Sequence, residues 1–264
     1  MTETSKNNSI KEFNKPPVVE AWIEFYFDLS EENTPWTEEL ATNFIKENFS
    51  DFLIKNSEYF ARIKVNPHGE PDLSKSEKIF NRIKAFSENS DYCIQAGRNC
   101  LIFNQINKGK WLGYDNMRDK SFEVLNKYLD FRGIEKLVDI CLHYRDVVKI
   151  PSEENKIKLE DFFKIYPKLE EDFGEVSGFS LDLILHESCK NAVTFFTLLN
   201  LLSDNVKEFT FQLDWHIKKK PSDKALININ ESKEWLNQVH SDILKRFTST
   251  FTDKTINIFR SNKT

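Results

Sequence analysis

Hydrophobic and polar positions alternate most cleanly over Phe209–Ile217. There Phe209, Phe211, Leu213, Trp215 and Ile217 interleave with Thr210, Gln212, Asp214 and His216. A period of two sustained this long predicts a strand with one buried face. Val193–Leu201, just before it, is apolar and rich in β-branched and aromatic residues, and Ser203-Asp204-Asn205 between them has turn chemistry. The pair therefore reads as an antiparallel hairpin. From about Glu231 to Phe251 the period changes: Leu236, His240, Ile243, Phe247 and Phe251 recur every three or four residues, widened by Trp235, Val239 and Leu244. That stripe predicts a long amphipathic helix, interrupted at Thr252-Asp253, with a last turn over Thr255–Phe259.

The remaining chain alternates between the same two periods. Val18–Leu29 predicts a strand with Val19, Ala21, Ile23, Phe25 and Phe27 on one face. Thr37 is an N-cap for a helix through Leu40, Phe44, Ile45, Phe49 and Phe52, with Glu38 and Glu39 in its first turn. Tyr59–Val65 predicts a strand ending at the turn Asn66-Pro67-His68-Gly69. Ser76–Phe86 is expected to be a short helix. Tyr92–Ala96, Cys100–Ile106 and Lys110–Gly113 predict a meander, followed by a helix over Met117–Phe131 that Gly133 stops. Ile134–Ile150 and Phe179–Glu187 predict strands, and Ile157–Tyr166 a short helix closed by Pro167. The expected fold class is α+β, with mainly antiparallel sheets covered by helices. A mobile N-terminal tail over residues 1–13 precedes two similar α+β halves, 14–133 and 134–264.

Composition narrows the function classes. A chain of 264 residues with 23 Phe and only 7 Gly suits a packed α+β core better than a phosphate-cradling loop enzyme. The net charge of −5 interleaves both signs, so nucleic acid is an unlikely partner, and Lys218-Lys219-Lys220 reads as a solvated strand end. The cysteines at 93, 100, 141 and 189 form no Cys-x-x-Cys pair and read as reduced cytoplasmic thiols. The N-terminus lacks an apolar signal core, and the longest apolar run, Ala192–Leu202, is too short to span a membrane.

Several segments are similar to one family. Asn14-Lys15-Pro16-Pro17-Val18-Val19-Glu20-Ala21 resembles its N-terminal strand, and Gln95–Asn104, ending Leu-Ile-Phe-Asn, its central hairpin. Leu142-His143-Tyr144-Arg145-Asp146 stands at the place of an Arg-Tyr-x-Asn-like strand, departing from it at His143 and Arg145-Asp146. Trp235-Leu236-Asn237-Gln238-Val239-His240, with Phe247 and Thr252-Asp253, resembles its C-terminal helix. The family is a sporadically distributed group of bacterial proteins of unknown function. The resemblance implies no activity and no catalytic residues. Its patchy occurrence is typical of mobile accessory genes, phage-defence and toxin–antitoxin modules among them.

No nucleotide, zinc-protease or serine-hydrolase motif occurs in the sequence. One constellation is left: His143, Asp182, His186, Asp214 and His216, all in predicted strands of the second half. Converging imidazoles and carboxylates could form an acid–base pair or a metal site. The plainer reading, that polar residues line up on any half-exposed sheet, is preferred, so neither metal nor cofactor is expected. His240 on the apolar stripe reads as a satisfied core histidine, Arg98 as turn chemistry, and Glu20 and Glu24 as a solvated or interface face rather than a ligand-facing acidic pair. Trp22, Tyr26, Trp36 and Trp111 are candidate interface aromatics. The expectation is a non-enzymatic interaction module binding another protein, such as one encoded nearby, with oligomerisation open and no membrane partner. The alternative is a small-molecule-binding or hydrolytic domain with its site between the sheet and the last helix.

Overall fold

β1 (Val18–Phe27) sits in the middle of the molecule, hydrogen-bonded on both edges to strands that come much later in the chain. Its buried side chains are Ala21, Ile23, Phe25 and Phe27, and Trp22, Glu24 and Tyr26 on the other face are half-buried. The computed structural model describes residues 13, 16–28, 35–65, 71–133, 137–151, 157–168, 178–186, 191–201, 208–219 and 228–260. The tail over 1–12, the turns at 66–69 and 203–205, Cys189 and Lys220 lie outside the described residues.

After β1 comes α1 (Glu38–Asn48), capped by the Thr37 hydroxyl, which accepts from the Leu40 N–H at 3.2 Å. A four-strand meander follows: β2 (Phe52–Val65), β3 (Pro71–Ser87), β4 (Tyr92–Gly97) and β5 (Cys100–Ile106). α2 (Tyr114–Arg132) then ends at Gly133, whose φ of 63° is the left-handed conformation a glycine adopts without strain. β6 (Leu137–Pro151), a single 3-10 turn (Leu159–Asp161), β7 (Ser180–His186), β8 (Ala192–Leu201) and β9 (Glu208–Lys219) lead to α3 (Ile229–Thr250) and α4 (Asp253–Arg260). All nine strands form one antiparallel sheet in the order β2-β3-β4-β5-β1-β6-β9-β8-β7. The described residues thus form an α+β fold with one large sheet and four helices. That sheet runs unbroken past Gly133, because β1 pairs with both β5 and β6. β8 and β9 form the hairpin that the alternation predicts, with Phe196 opposite Trp215 and Leu198 opposite Leu213.

Several local expectations are corrected. Ser76–Phe86 is strand, not helix. A bulge at Asn81, where Glu58 faces Arg82 but Tyr59 faces Phe80, puts Phe80 and Ile83 on one face three residues apart. That spacing imitates a helix and hides the period of two. Phe52 opens β2 and is not part of α1. Lys110–Gly113 is not a strand; it leads into α2, which starts at Tyr114. Over 157–166 only one 3-10 turn forms, after which Phe163 bridges to Phe251. Beyond Phe251 the chain makes a true helix, α4.

The two faces of the sheet differ. α1, α2 and α3 pack on the face bearing Phe25, Phe27 and Tyr144, through pairs such as Phe25–Phe122, Phe27–Tyr128 and Tyr144–His240. Buried Leu236, Val239 and Ile243 of α3 join the same core. Phe163 wedges between Phe211 and Phe251 to close the core beside β9. The described residues place no helix on the opposite face.

Candidate functional site

That helix-free face carries the chemistry. Because opposite residues in antiparallel strands share a face, the registers line up three rows across the middle of the sheet. The central row runs Asn104, Trp22, His143, His216, Phe195 and Ile184 over six strands. Four of its rings stack in sequence: Trp22 on His143 at 4.5 Å and 9°, His143 on His216 at 4.0 Å and 25°, and His216 near Phe195 at 5.3 Å. On one side lies a charged row, Glu20, Arg145, Asp214, Thr197 and Asp182. On the other side Glu24, Cys141 and Lys218 stand in line.

Cys141, His143 and His216 each offer one donor atom, and the three donors lie within 4.8 Å of one another. Cys141 and His143 are buried, and the Nε2 atoms of His143 and His216 are enclosed without a hydrogen-bond partner. Oε1 of Glu24 is 3.4 Å from His143 Nε2, within ion-pair distance but outside hydrogen-bond geometry. Glu24 is itself held in place: Trp22 Nε1 donates to Oε1 at 3.0 Å and the Tyr26 hydroxyl to Oε2 at 2.6 Å. Burial alone would raise the Glu24 carboxyl, but His143, Tyr26 and Trp22 together hold it down to about 2. Burial, helped by the neighbouring His143, lowers His216 to about 4. Burial also pushes the Cys141 thiol well above its usual range. At neutral pH the face therefore presents a carboxylate, a neutral imidazole at His216 and an uncharged thiol within one small area.

The five residues of the predicted constellation all fall on this face, but only His143 and His216 meet. Asp214 is one row away and engaged, receiving Arg145 Nε at 2.8 Å and Gln212 Nε2 at 2.7 Å. Asp182 and His186 sit on β7, separated from β9 by β8; both are exposed, and Asp182 accepts from Thr197 and Ser180. Cys141 and Glu24 complete the group instead. The signal for Cys141 was its two-residue spacing from His143 in an alternating strand, which puts both on one face.

Of the four candidate interface aromatics, Trp22 and Tyr26 lie on this face, half-buried and bonded to Glu24. Trp36 does not belong with them. It is 6% exposed, edge-on to Tyr128, with the Arg132 guanidinium 4.3 Å from its ring. A Pro-Trp-Thr step leading into α1 directs it into the core. Trp111 is half-buried against the core, 6.4 Å from Tyr144. His240 is on the helix side, stacked on Tyr114 at 3.8 Å and 2.9 Å from the Tyr144 hydroxyl; burial lowers it to about 4. The described cysteines, Cys93, Cys100 and Cys141, are buried free thiols, and no helix among the described residues is long and apolar enough to cross a membrane. No protein-family model matches the chain, and a search of curated proteins finds no match to it.

Proposed function

We propose that this chain is a non-enzymatic protein-interaction module that receives another folded protein on the helix-free face of its sheet. The observation that carries the proposal is where the exposed apolar side chains of the outer strands point. Leu53 and Phe60 on β2, Ile184 on β7 and Phe195 on β8 are 53%, 61%, 59% and 38% exposed, and all four project from this one face. Large apolar side chains left exposed on one face are surface that a partner can cover. The two groups sit at opposite wings of a sheet whose strands are about 4.8 Å apart. A partner touching both must be a domain, not a short peptide. The resemblance to a sporadically distributed bacterial family supports a place in an accessory system of the phage-defence or toxin–antitoxin kind, with the partner encoded nearby. The three buried free thiols support a cytoplasmic setting. The proposal extends to an origin by duplication: in each half a central strand, β1 or β6, is joined by a meander that returns to its side and a helix that follows. The alternative, a site between the sheet and the last helix, would lie among the buried core residues Leu236, Val239 and Ile243.

Co-expression with the products of adjacent genes tests the proposal. One product is expected to co-elute with the chain in a fixed ratio, to be lost with Phe195→Asp and Ile184→Asp, and to be kept with Ile258→Asp on α4. A complex that forms equally with all three variants, or a chain that pairs only with its own copies, refutes it.

A further inference from the structure

We propose that Cys141, His143 and His216 form a binding site for a thiophilic divalent metal of the zinc class, with Glu24 beside its open fourth position. This goes beyond the docking proposal and does not depend on it.

The donors come from two neighbouring strands of a rigid sheet. Cys141 and His143 are two residues apart on β6, and His216 faces His143 across the β6–β9 ladder. Their donor atoms already lie within 4.8 Å of one another. A tetrahedral site with metal–nitrogen bonds of about 2.0–2.1 Å and a metal–sulfur bond of about 2.3 Å has donor–donor edges of about 3.3–3.6 Å. Closing those edges takes shifts of about 1.5 Å, together with a turn of the two stacked imidazoles that brings their in-plane lone pairs onto one point. The second observation is independent of the spacing. The Nε2 atom of His216 is buried with no hydrogen-bond partner, and that of His143 faces only the Glu24 carboxylate at 3.4 Å, outside hydrogen-bond geometry, whereas buried polar atoms are nearly always engaged. A metal ion uses both lone pairs at once. Glu24 Oε1, 3.4 Å from His143 Nε2 and fixed by Trp22 and Tyr26, is placed as the carboxylate that neutralises the ion or borders its fourth position. One thiolate and two imidazoles suit zinc, cobalt or copper; calcium and magnesium require oxygen donors. The ion binds the thiolate, so uptake displaces the Cys141 thiol proton to solvent.

Titrating the metal-stripped full chain with Co2+ and then Zn2+ tests the site. The expected result is saturation at one equivalent, with thiolate-to-cobalt charge-transfer absorption that Zn2+ abolishes. Cys141→Ser should remove that absorption and His216→Ala should weaken binding by about tenfold or more, while Cys93→Ser and Cys100→Ser leave both unchanged. The wild-type titration decides the question even if a variant fails to fold. No charge-transfer band at stoichiometric Co2+, or a band that survives Cys141→Ser, overturns the proposal.

Discussion

Truncating Phe247 to Ala removes the ring on which the C-terminal end of the molecule converges. Phe247 is 5% exposed, with its ring 4.8 Å from Phe251, 5.7 Å from Phe259 and 5.8 Å from Phe13. It thereby ties α3 to the Phe163–Phe251 bridge, to α4 and to the segment before β1. Phe-to-Ala changes in cores cost about 3–5 kcal/mol, as lost transfer energy plus the cavity left behind. Aromatic pairs carry about 0.5–1.5 kcal/mol each beyond their area. Three such neighbours put Phe247→Ala in the upper part of the range, at about 4–5 kcal/mol. Domains are held by only about 5–15 kcal/mol. With a urea slope of about 3 kcal/mol per M for a chain of this length, the midpoint should fall by more than about 1 M. Thr248 is the control. It is half-buried, and its hydroxyl bonds back to the Leu244 and Lys245 carbonyls of its own helix. Thr248→Ala should shift stability by no more than about 0.5 kcal/mol, because the better helix propensity of Ala offsets the lost contacts. Urea denaturation followed by circular dichroism reads both. Equal, small midpoint shifts would refute the packing argument, as would an unchanged midpoint with an altered slope. Combining Phe247→Ala with Phe259→Ala should cost less than the sum of the single changes, since both remove the same contact.

Asp146 is buried on the helix side; burial, reinforced by the charge of Asp214, raises its carboxyl to about 8, against about 3.9 in an unfolded chain. Between those values the native state holds a proton that the unfolded state has released. The contribution of this carboxyl to stability is therefore full below about pH 4 and falls with rising pH by up to about 1.4 kcal/mol per unit until about pH 8. Asp146→Asn should flatten this slope in thermal melts taken across that window; an unchanged slope would refute the assignment. The Tyr128 hydroxyl donates to the Gly97 carbonyl at 2.6 Å inside the core and accepts from Arg132 at 2.8 Å. Tyr128→Phe should therefore cost about 1–3 kcal/mol in urea denaturation, and a loss under about 0.5 kcal/mol would count against a structural role for that bond.

Elements with an unbroken period were readable from the chain. β9 and β1 each bury one uninterrupted row, and α3 carries a stripe long enough to exclude a strand. β3 was not readable, because a single extra residue at Asn81 reverses which face its apolar residues take. The site was half readable for a related reason. Alternation places His143, Asp214 and His216 on one face of their strands, but only the strand order makes β6 and β9 neighbours and sends Asp182 and His186 outward on β7. Cys141 leaves no Cys-x-x-Cys signal along the chain, because one of its partners, His216, stands across the β6–β9 ladder. Trp36 misled as an exposed aromatic because nothing local to it reveals Tyr128 and Arg132, which arrive about ninety residues later.

The place of β1 between β5 and β6 also sets an order of assembly. β1 ends at Phe27, but its first partner begins only at Cys100 and its second at Leu137. On the ribosome, it emerges before both partners and stays without a ladder while the meander β2–β5 forms from near neighbours in sequence. Local pairings close at little entropic cost and distant ones at more, so β1 is among the last of these strands to be zipped in. Until then the sheet exists as two separate ribbons with bare inner edges, and a chain halted before residue 137 exposes one of those edges to any other strand in the cell.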